Sequence, residues 1–261
     1  MSMMQKRGGV VIQSVARALD ILHCFELESE LGISEISRAM GLSKSTIYGL
    51  VNTLTTYGYL EQTSKTSKYK LGLKLFELGN VVQQRMDIRQ EARPCCQLLS
   101  DKYRTTVHLA THSEGDLIYV DKVTASSGSF VLYSQVGKRA PMYCTGVGKA
   151  LLAHVSDSYL EEYIFSRPMV KITENTIDTR EKLLKELAEV RELGYAKDNE
   201  EIELGLRCIA APIFDSHHQP TFALSMSFHY GRLWDVDWNE AARDVQYYAR
   251  QISERLGHIS K

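Results

Sequence analysis

The chain has 261 residues, 44% of them hydrophobic and 24% charged, and a formal net charge of −1. This composition excludes a disordered, collagenous or membrane-embedded chain, and the length allows one large domain or two modest ones. The nearly neutral total excludes a global basic field, so any nucleic-acid site has to be a local patch.

Five cysteines are present, Cys24, Cys95, Cys96, Cys144 and Cys208. Their number is odd and no CxxC pair occurs, which speaks against a disulfide framework or a zinc knuckle and for a reducing compartment. Met1–Gly9 has no apolar core of a signal peptide, and no apolar run approaches membrane-spanning length. A cytoplasmic protein with no membrane partner is the expectation.

The first predicted helix follows Ser14, read as its N-cap, with Val15, Ala18, Leu19, Ile21 and Leu22 at helical spacing. A second runs from about Ser34 to Met40 with Ile36, Ala39 and Met40 on its buried side, and Gly41 stops it. Ser43 caps a third, whose apolar face is Ile47, Leu50, Val51 and Leu54; Gly58 ends it. Tyr59–Gln62 and Tyr69–Leu71, around a polar tip from Thr63 to Lys68, read as a hairpin or wing. Helical patterns return over Leu73–Arg85 and about Ile88–Tyr103, with a kink or restart expected at Pro94.

After residue 104 the character changes. Thr106–Thr111, Leu117–Lys122, Phe130–Ser134, Cys208–Phe214 and Phe222–Phe228 read as strands. Helices are expected at Gly146–His154, Ser156–Phe165, Arg180–Leu193 and about Asn239–Leu256. Mixed strands and helices give an α+β or α/β second domain. The expected domains are a winged helix-turn-helix over 12–73, a linker helix over 74–86 and a sensor domain over 87–258.

Charge supports the first of these. From Arg38 to Lys74 six cations (Arg38, Lys44, Lys65, Lys68, Lys70, Lys74) face one acid, Glu61, a local excess of +5. They fall on the third helix and the hairpin, the parts of a winged helix that meet DNA. Gly41-Leu42-Ser43-Lys44-Ser45-Thr46-Ile47-Tyr48 places short polar donors at a helix start. Lys44, Ser45, Tyr48 and Asn52 lie opposite the apolar face; Asn reads adenine bidentately and Lys reaches guanine or phosphate. Lys65 and Lys68 at the hairpin tip would hold phosphate or enter the minor groove. The expected DNA-binding set is Arg38, Ser43, Lys44, Ser45, Thr46, Tyr48, Asn52, Lys65 and Lys68. The competing reading is a protein-contact scaffold with a solvated charged face.

Several motifs together resemble the IclR family of bacterial transcriptional regulators. They are Gln13-Ser14-Val15-Ala16-Arg17-Ala18-Leu19, Ile33–Ser37, Gly41–Thr46 and Tyr69–Gly72, then Gly137–Tyr143, Gly146–Ala153, Gly194–Glu201 and Gly205–Pro212. They occur in order from about residue 12 to residue 256. Ser43–Tyr48 and Leu73–Gly79 look most like the sugar-acid-responsive, KdgR-like branch. The resemblance implies an N-terminal winged helix-turn-helix, a linker helix and a C-terminal GAF-like α/β effector-binding domain. It further implies an effector pocket lined by Gly146, Val147, Asp198, Cys208, Ser225 and Ser227. Its ligands would be small organic or sugar acids, and its assemblies dimers, often paired into tetramers. The expected function is a regulator, read as a repressor, bound to a two-fold double-stranded operator.

The residues themselves say less about the second domain. Tyr143-Cys144-Thr145-Gly146-Val147-Gly148-Lys149 offers either free backbone N–H groups for a carboxylate or a tight packing turn, and the sequence leaves both open. A P-loop is excluded, because Tyr143 and Ala150 stand where Gly and Ser or Thr would be needed. Asp198, Glu200 and Glu201 precede Cys208 by what reads as a short loop, and Ser225 and Ser227 share one strand face. The alternative from another class is an enzyme with Cys208 as nucleophile, His108 or His112 as base and Asp198 as orienter. No cofactor and no metal are expected, since neither His108/His112 nor His217-His218 reads as a chelating set.

Overall fold

The computed structural model describes residues 11–84, 87–124, 134–229 and 236–259. The strand expected at Phe130–Ser134 lies outside these residues except for Ser134, as does Arg85 at the end of the fourth helix. The chain divides into two compact units, Met1–Met86 and Asp87–Lys261.

The first unit contains α1 (Gln13–His23), α2 (Ile33–Met40), α3 (Lys44–Thr56), β1 (Leu60–Gln62), β2 (Tyr69–Leu71) and α4 (Leu73–Gln84). Its core is Ile21, Phe25, Ile36, Ile47, Val51, Leu54, Leu60 and Tyr69. The cap of α1 differs from expectation. Ile12 is the N-cap, with its carbonyl accepting from Val15 and Ala16, so Ser14 lies inside the first turn. Of the expected apolar face only Ile21 is fully buried, while Val15 and Leu19 are exposed. Ala39 in α2 is exposed as well, and Ile33 packs on the core in its place. A three-turn helix covering a small core contributes one stripe narrower than its apolar sequence suggests.

Gly41 ends α2 with φ 64°, and Ser43 caps α3 by accepting from the Thr46 N–H. The wing closes where Gly58 and Gly72 meet. A Cβ on Gly72 would stand 2.1 Å from the Gly58 carbonyl oxygen, so no side chain fits there. Leu31 adds a single bridge to Tyr69, tying the segment before α2 to the wing.

The second unit holds α5 (Asp87–Tyr103), β3 (Thr106–Ser113), β4 (Asp116–Val123), β5 (Arg139–Pro141), α6 (Gly146–Leu152), α7 (Asp157–Tyr159), α8 (Arg180–Leu193), β6 (Ala196–Asn199), β7 (Leu206–Phe214), β8 (Pro220–His229) and α9 (Trp238–Arg255). A π-helical turn, Leu160–Ile164, continues α7. The single helix expected over Ser156–Phe165 is therefore two short pieces. Pro94 neither breaks nor restarts α5; it lies on the exposed side of one continuous helix.

The strands form one antiparallel sheet in the order β5-β4-β3-β8-β7-β6. Helices α5 and α9 cover one face, and α6, backed by α8, packs on the other. β5 and β6 were not expected from sequence. The short loop read between Asp198 and Cys208 is present over 200–205, and it joins β6 to β7 with Asp198 directly opposite Cys208.

Candidate functional site

Strand register builds the second unit's site. Cys208 on β7 pairs with Ser227 on β8, Ala210 pairs with Ser225, and Ser225 pairs with His108 on β3. Side chains at every second position share a face, so Asp198, Cys208, Ser225, Ser227 and His108 all point to the α6 side of the sheet. There they line a cavity of about 350 Å³, together with Tyr119, Ser134, Lys138, Arg139, Ala140, Thr145, Gly146, Val147, Ile202, Glu203 and Leu206. All six effector residues expected from sequence are thus brought together. His108, Tyr119 and Lys138 are additions. In sequence His108 reads only as a base or a metal ligand, because placing it beside Ser225 requires the β3–β8 register.

The glycine motif divides its labour. A Cβ on Gly148 would stand 2.2 Å from the Met142 carbonyl oxygen, so Gly148 is there for packing. Gly146 borders the cavity, and a Cβ there would meet Ala210 and Cys208 at 3.4 and 3.5 Å, ordinary contact distances. Thr145 accepts the Gly148 N–H at 3.2 Å and its carbonyl accepts that of Lys149. The N–H groups of Gly146 and Val147 have no acceptor among the described residues.

Beneath the motif Lys149 is buried and donates to Glu186 at 2.8 Å and to Glu201 at 2.5 Å. Glu201 in turn donates its backbone N–H to Asp198 Oδ1 at 2.8 Å. A buried charge is tolerated only when paired and hydrogen-bonded, and removing one partner typically costs about 3–5 kcal/mol. The pair therefore holds the segment after β6 against α6 and sets the Asp198 carboxyl.

Burial raises the Asp198 carboxyl to about 7; the Glu201 charge adds to this, while the Glu201 backbone N–H and Lys149 oppose it. Unfolded, the same group loses its proton near pH 4 (roughly the model-peptide value). The folded state thus binds more protons between those values, and stability falls as pH rises through that window, levelling above about 7. Asp198→Asn is expected to be more stable than the parent chain at pH 8, by at most about 4 kcal/mol, with the gap closing toward pH 4. Thermal unfolding of both proteins across pH 4–8 checks this; a constant gap contradicts it.

The cysteine is not set up as a nucleophile. Burial and the Asp198 charge push the Cys208 thiol well above its ordinary value, disfavouring the thiolate. His112 bonds Tyr159 at 2.9 Å, and His108 reaches Cys208 only through Ser227. His218 faces His258, and no group of three or more His, Cys, Asp or Glu is arranged to hold a metal among the described residues.

In the first unit, Lys44, Ser45, Tyr48 and Asn52 are exposed on α3, opposite buried Ile47, Val51 and Leu54. The Ser43 hydroxyl is occupied by capping and lies 2.9 Å from Thr46 Oγ1. The local basic excess is smaller than the sequence count. Lys68 pairs with Glu35 at 2.9 Å, Lys70 with Glu61 at 3.1 Å and Lys74 with Glu77 at 2.7 Å. Glu35 and Glu77 lie outside the counted window. Arg38, Lys44 and Lys65 remain without a carboxylate partner among the described residues.

Two family models match the chain. The IclR helix-turn-helix domain matches residues 14–64, and the bacterial transcriptional regulator IclR C-terminal domain matches residues 80–254. The HTH-type transcriptional regulator XynR of Escherichia coli is 37% identical over 249 residues, covering 95% of this chain and 98% of that protein. KdgR of the same organism is 37% identical over 247 residues, covering 95% and 94%. The crystal structure of the Thermotoga maritima IclR has a TM-score of 0.74 at 30% identity, covering 94% of this chain and 99% of that one. The matched residues span both the helix-turn-helix and the sheet domain. The chain belongs to the IclR family of bacterial transcriptional regulators, on the side of XynR and KdgR.

Proposed function

We propose that this chain is a repressor whose affinity for a two-fold operator is set by a small carboxylate or sugar acid bound in the second unit's cavity. The polar wall of that cavity is the observation that carries the reading. Asp198, Cys208, Ser225, Ser227 and His108 form one buried polar surface in a space the size of a small ligand. Lys138 and the unengaged N–H groups of Gly146 and Val147 suit a carboxylate, and the serines suit hydroxyls.

On the DNA side Lys44, Ser45, Tyr48 and Asn52 are the base- and phosphate-reading face, Ser43 and Thr46 fix the helix start, and Arg38 and Lys65 flank it. Lys68 is held first by its ion pair with Glu35 of α2. A single winged helix covers one half-site, so the reading requires a dimer, or a tetramer made of two. Exposed Leu73, Phe76, Val81 and Val82 on α4 and Val15 and Leu19 on α1 supply apolar surface for that assembly. In this reading residues 12–73 form the DNA-binding domain, 74–86 the linker and 87–258 the sensor.

A thermal-shift screen against small 2-keto and sugar acids tests the ligand half. A ligand at a hundred times its Kd adds about 2.7 kcal/mol to native stability, enough to see. At least one acid is expected to raise Tm, and Gly146→Ala, which adds a methyl to the cavity wall without a clash, is expected to weaken that shift. No shift from any acid contradicts the reading.

A further inference from the structure

One wall of the cavity is a continuous hydrogen-bonded row. Asp198 stands opposite Cys208 in the β6–β7 register, at the head of this row. Cys208 Sγ lies 3.2 Å from Ser227 Oγ, Ser227 Oγ lies 3.3 Å from His108 Nδ1, and His108 Nε2 lies 2.8 Å from Ser134 Oγ. Asp198, Cys208, Ser227 and His108 are buried, and Ser134 is half-buried.

Each interior member of such a row has one proton to give and a lone pair to take. Burial and the Lys122 charge hold the His108 imidazole down at about 3, so it is neutral, with one N–H and one acceptor nitrogen. Only two orders are then self-consistent. In one, Ser227 donates to the Cys208 sulfur, His108 Nδ1–H to Ser227, and Ser134 to Nε2. In the other every bond reverses: the thiol donates to Ser227, Ser227 to Nδ1, and Nε2–H to Ser134. In both orders the imidazole dictates which way the hydroxyls of Ser227 and Ser134 point.

We propose that His108 is a specificity-determining residue of the effector cavity, orienting Ser227 and Ser134 so that the wall selects an acid bearing hydroxyls over an unsubstituted acid of the same length. This rests on the effector reading above. A site built to bond a ligand hydroxyl rejects the analogue lacking it, because buried polar groups are left unpaired. Ser225, register partner of His108, adds a hydroxyl to the same wall with no hydrogen-bond partner among the described residues.

The test uses the purified full chain and calorimetric titration with four- to six-carbon aldonic acids and with butanoate, pentanoate and hexanoate. The parent protein is expected to prefer the hydroxylated member of a length-matched pair by at least tenfold. His108→Phe, close in shape but without ring nitrogens, is expected to reduce that preference at least tenfold by weakening only the hydroxylated acid. His108→Asn, which returns a polar atom near Nδ1, is expected to restore part of it. Unchanged thermal unfolding of the unliganded variants shows that they fold; should His108→Phe fail to fold, the preference of His108→Asn against that of Ser227→Ala carries the test, with Ser227→Ala lower. An unchanged preference in His108→Phe overturns the assignment while leaving the effector reading intact. A parent protein that binds none of these acids overturns the assignment, and one that also answers no acid in the thermal-shift screen overturns both.

Discussion

Gly148→Ala is expected to destabilise the second unit severely, whereas Gly146→Ala, two residues earlier, is expected to leave it standing. A Cβ at 148 would lie 2.2 and 2.4 Å from the Met142 carbonyl oxygen and Cα and 2.6 Å from Thr145 Oγ1. The first two are backbone, which cannot rotate away, and the third is the hydroxyl that caps α6. Met142, Cys144 and the whole of α6 are fully or almost fully buried, so relaxation would have to displace packed core. Overpacking of this kind typically costs about 1–3 kcal/mol, and the backbone contact places Gly148→Ala at or above the top of that range. For a protein of this size about 3 kcal/mol corresponds to a Tm roughly 6–12 °C lower. Scanning calorimetry of the two variants checks the contrast; equal Tm values would show that the glycines are interchangeable.

Charge reversal at Lys44 is expected to remove most operator binding, with no loss of stability. Lys44 opens α3, is exposed, and has no carboxylate partner among the described residues. A base- or phosphate-contacting cation at such a position contributes about 1–3 kcal/mol, so Lys44→Ala should weaken binding roughly 5- to 150-fold, and Lys44→Glu more. If the contact is to phosphate, the slope of log affinity against log salt should also become shallower by about one. Lys68→Ala is the informative comparison. Its ammonium is already held by Glu35 at 2.9 Å, so its loss should lower affinity less than the loss of Lys44. Fluorescence anisotropy on a DNA fragment carrying the operator, at two salt concentrations, separates these. Equal effects of Lys44→Ala and Lys68→Ala would mean that the exposed face of α3 is not the reading surface.

The parts of the fold that were legible in sequence are those with local signals. For α8 the bounds Arg180–Leu193 follow from Leu183, Leu187 and Val190 at helical spacing, a Thr179 cap and Gly194 at φ 74°. The helix-turn-helix is legible for the same reasons, through Gly41, Ser43 and the Ile47–Val51–Leu54 face. β6 was not, because Ala196-Lys197-Asp198-Asn199 lacks β-branched and aromatic residues and buries a carboxyl in place of an aliphatic side chain. β5, three residues containing Arg139 and Pro141, is defined only by its pairing with β4.

The site shows the same division. Ser225 and Ser227 are readable as a same-face pair from strand period alone. His108 joins them only once β3 is laid beside β8, which is a long-range fact. The separate duties of Gly146 and Gly148 depend on where the Met142 carbonyl points. The basic patch was over-read because its partners, Glu35 and Glu77, stand outside the counted window.

A ligand changes an equilibrium between DNA-competent and DNA-incompetent arrangements only if it binds them with different affinity. The central claim is that cavity occupancy does this. The direct measurement is operator affinity, by anisotropy at fixed salt, with and without a saturating concentration of an acid that raises Tm. The account predicts a change of at least fivefold, lower affinity for a repressor released by its effector, and a smaller change in Gly146→Ala. An operator affinity unchanged at saturation would contradict it.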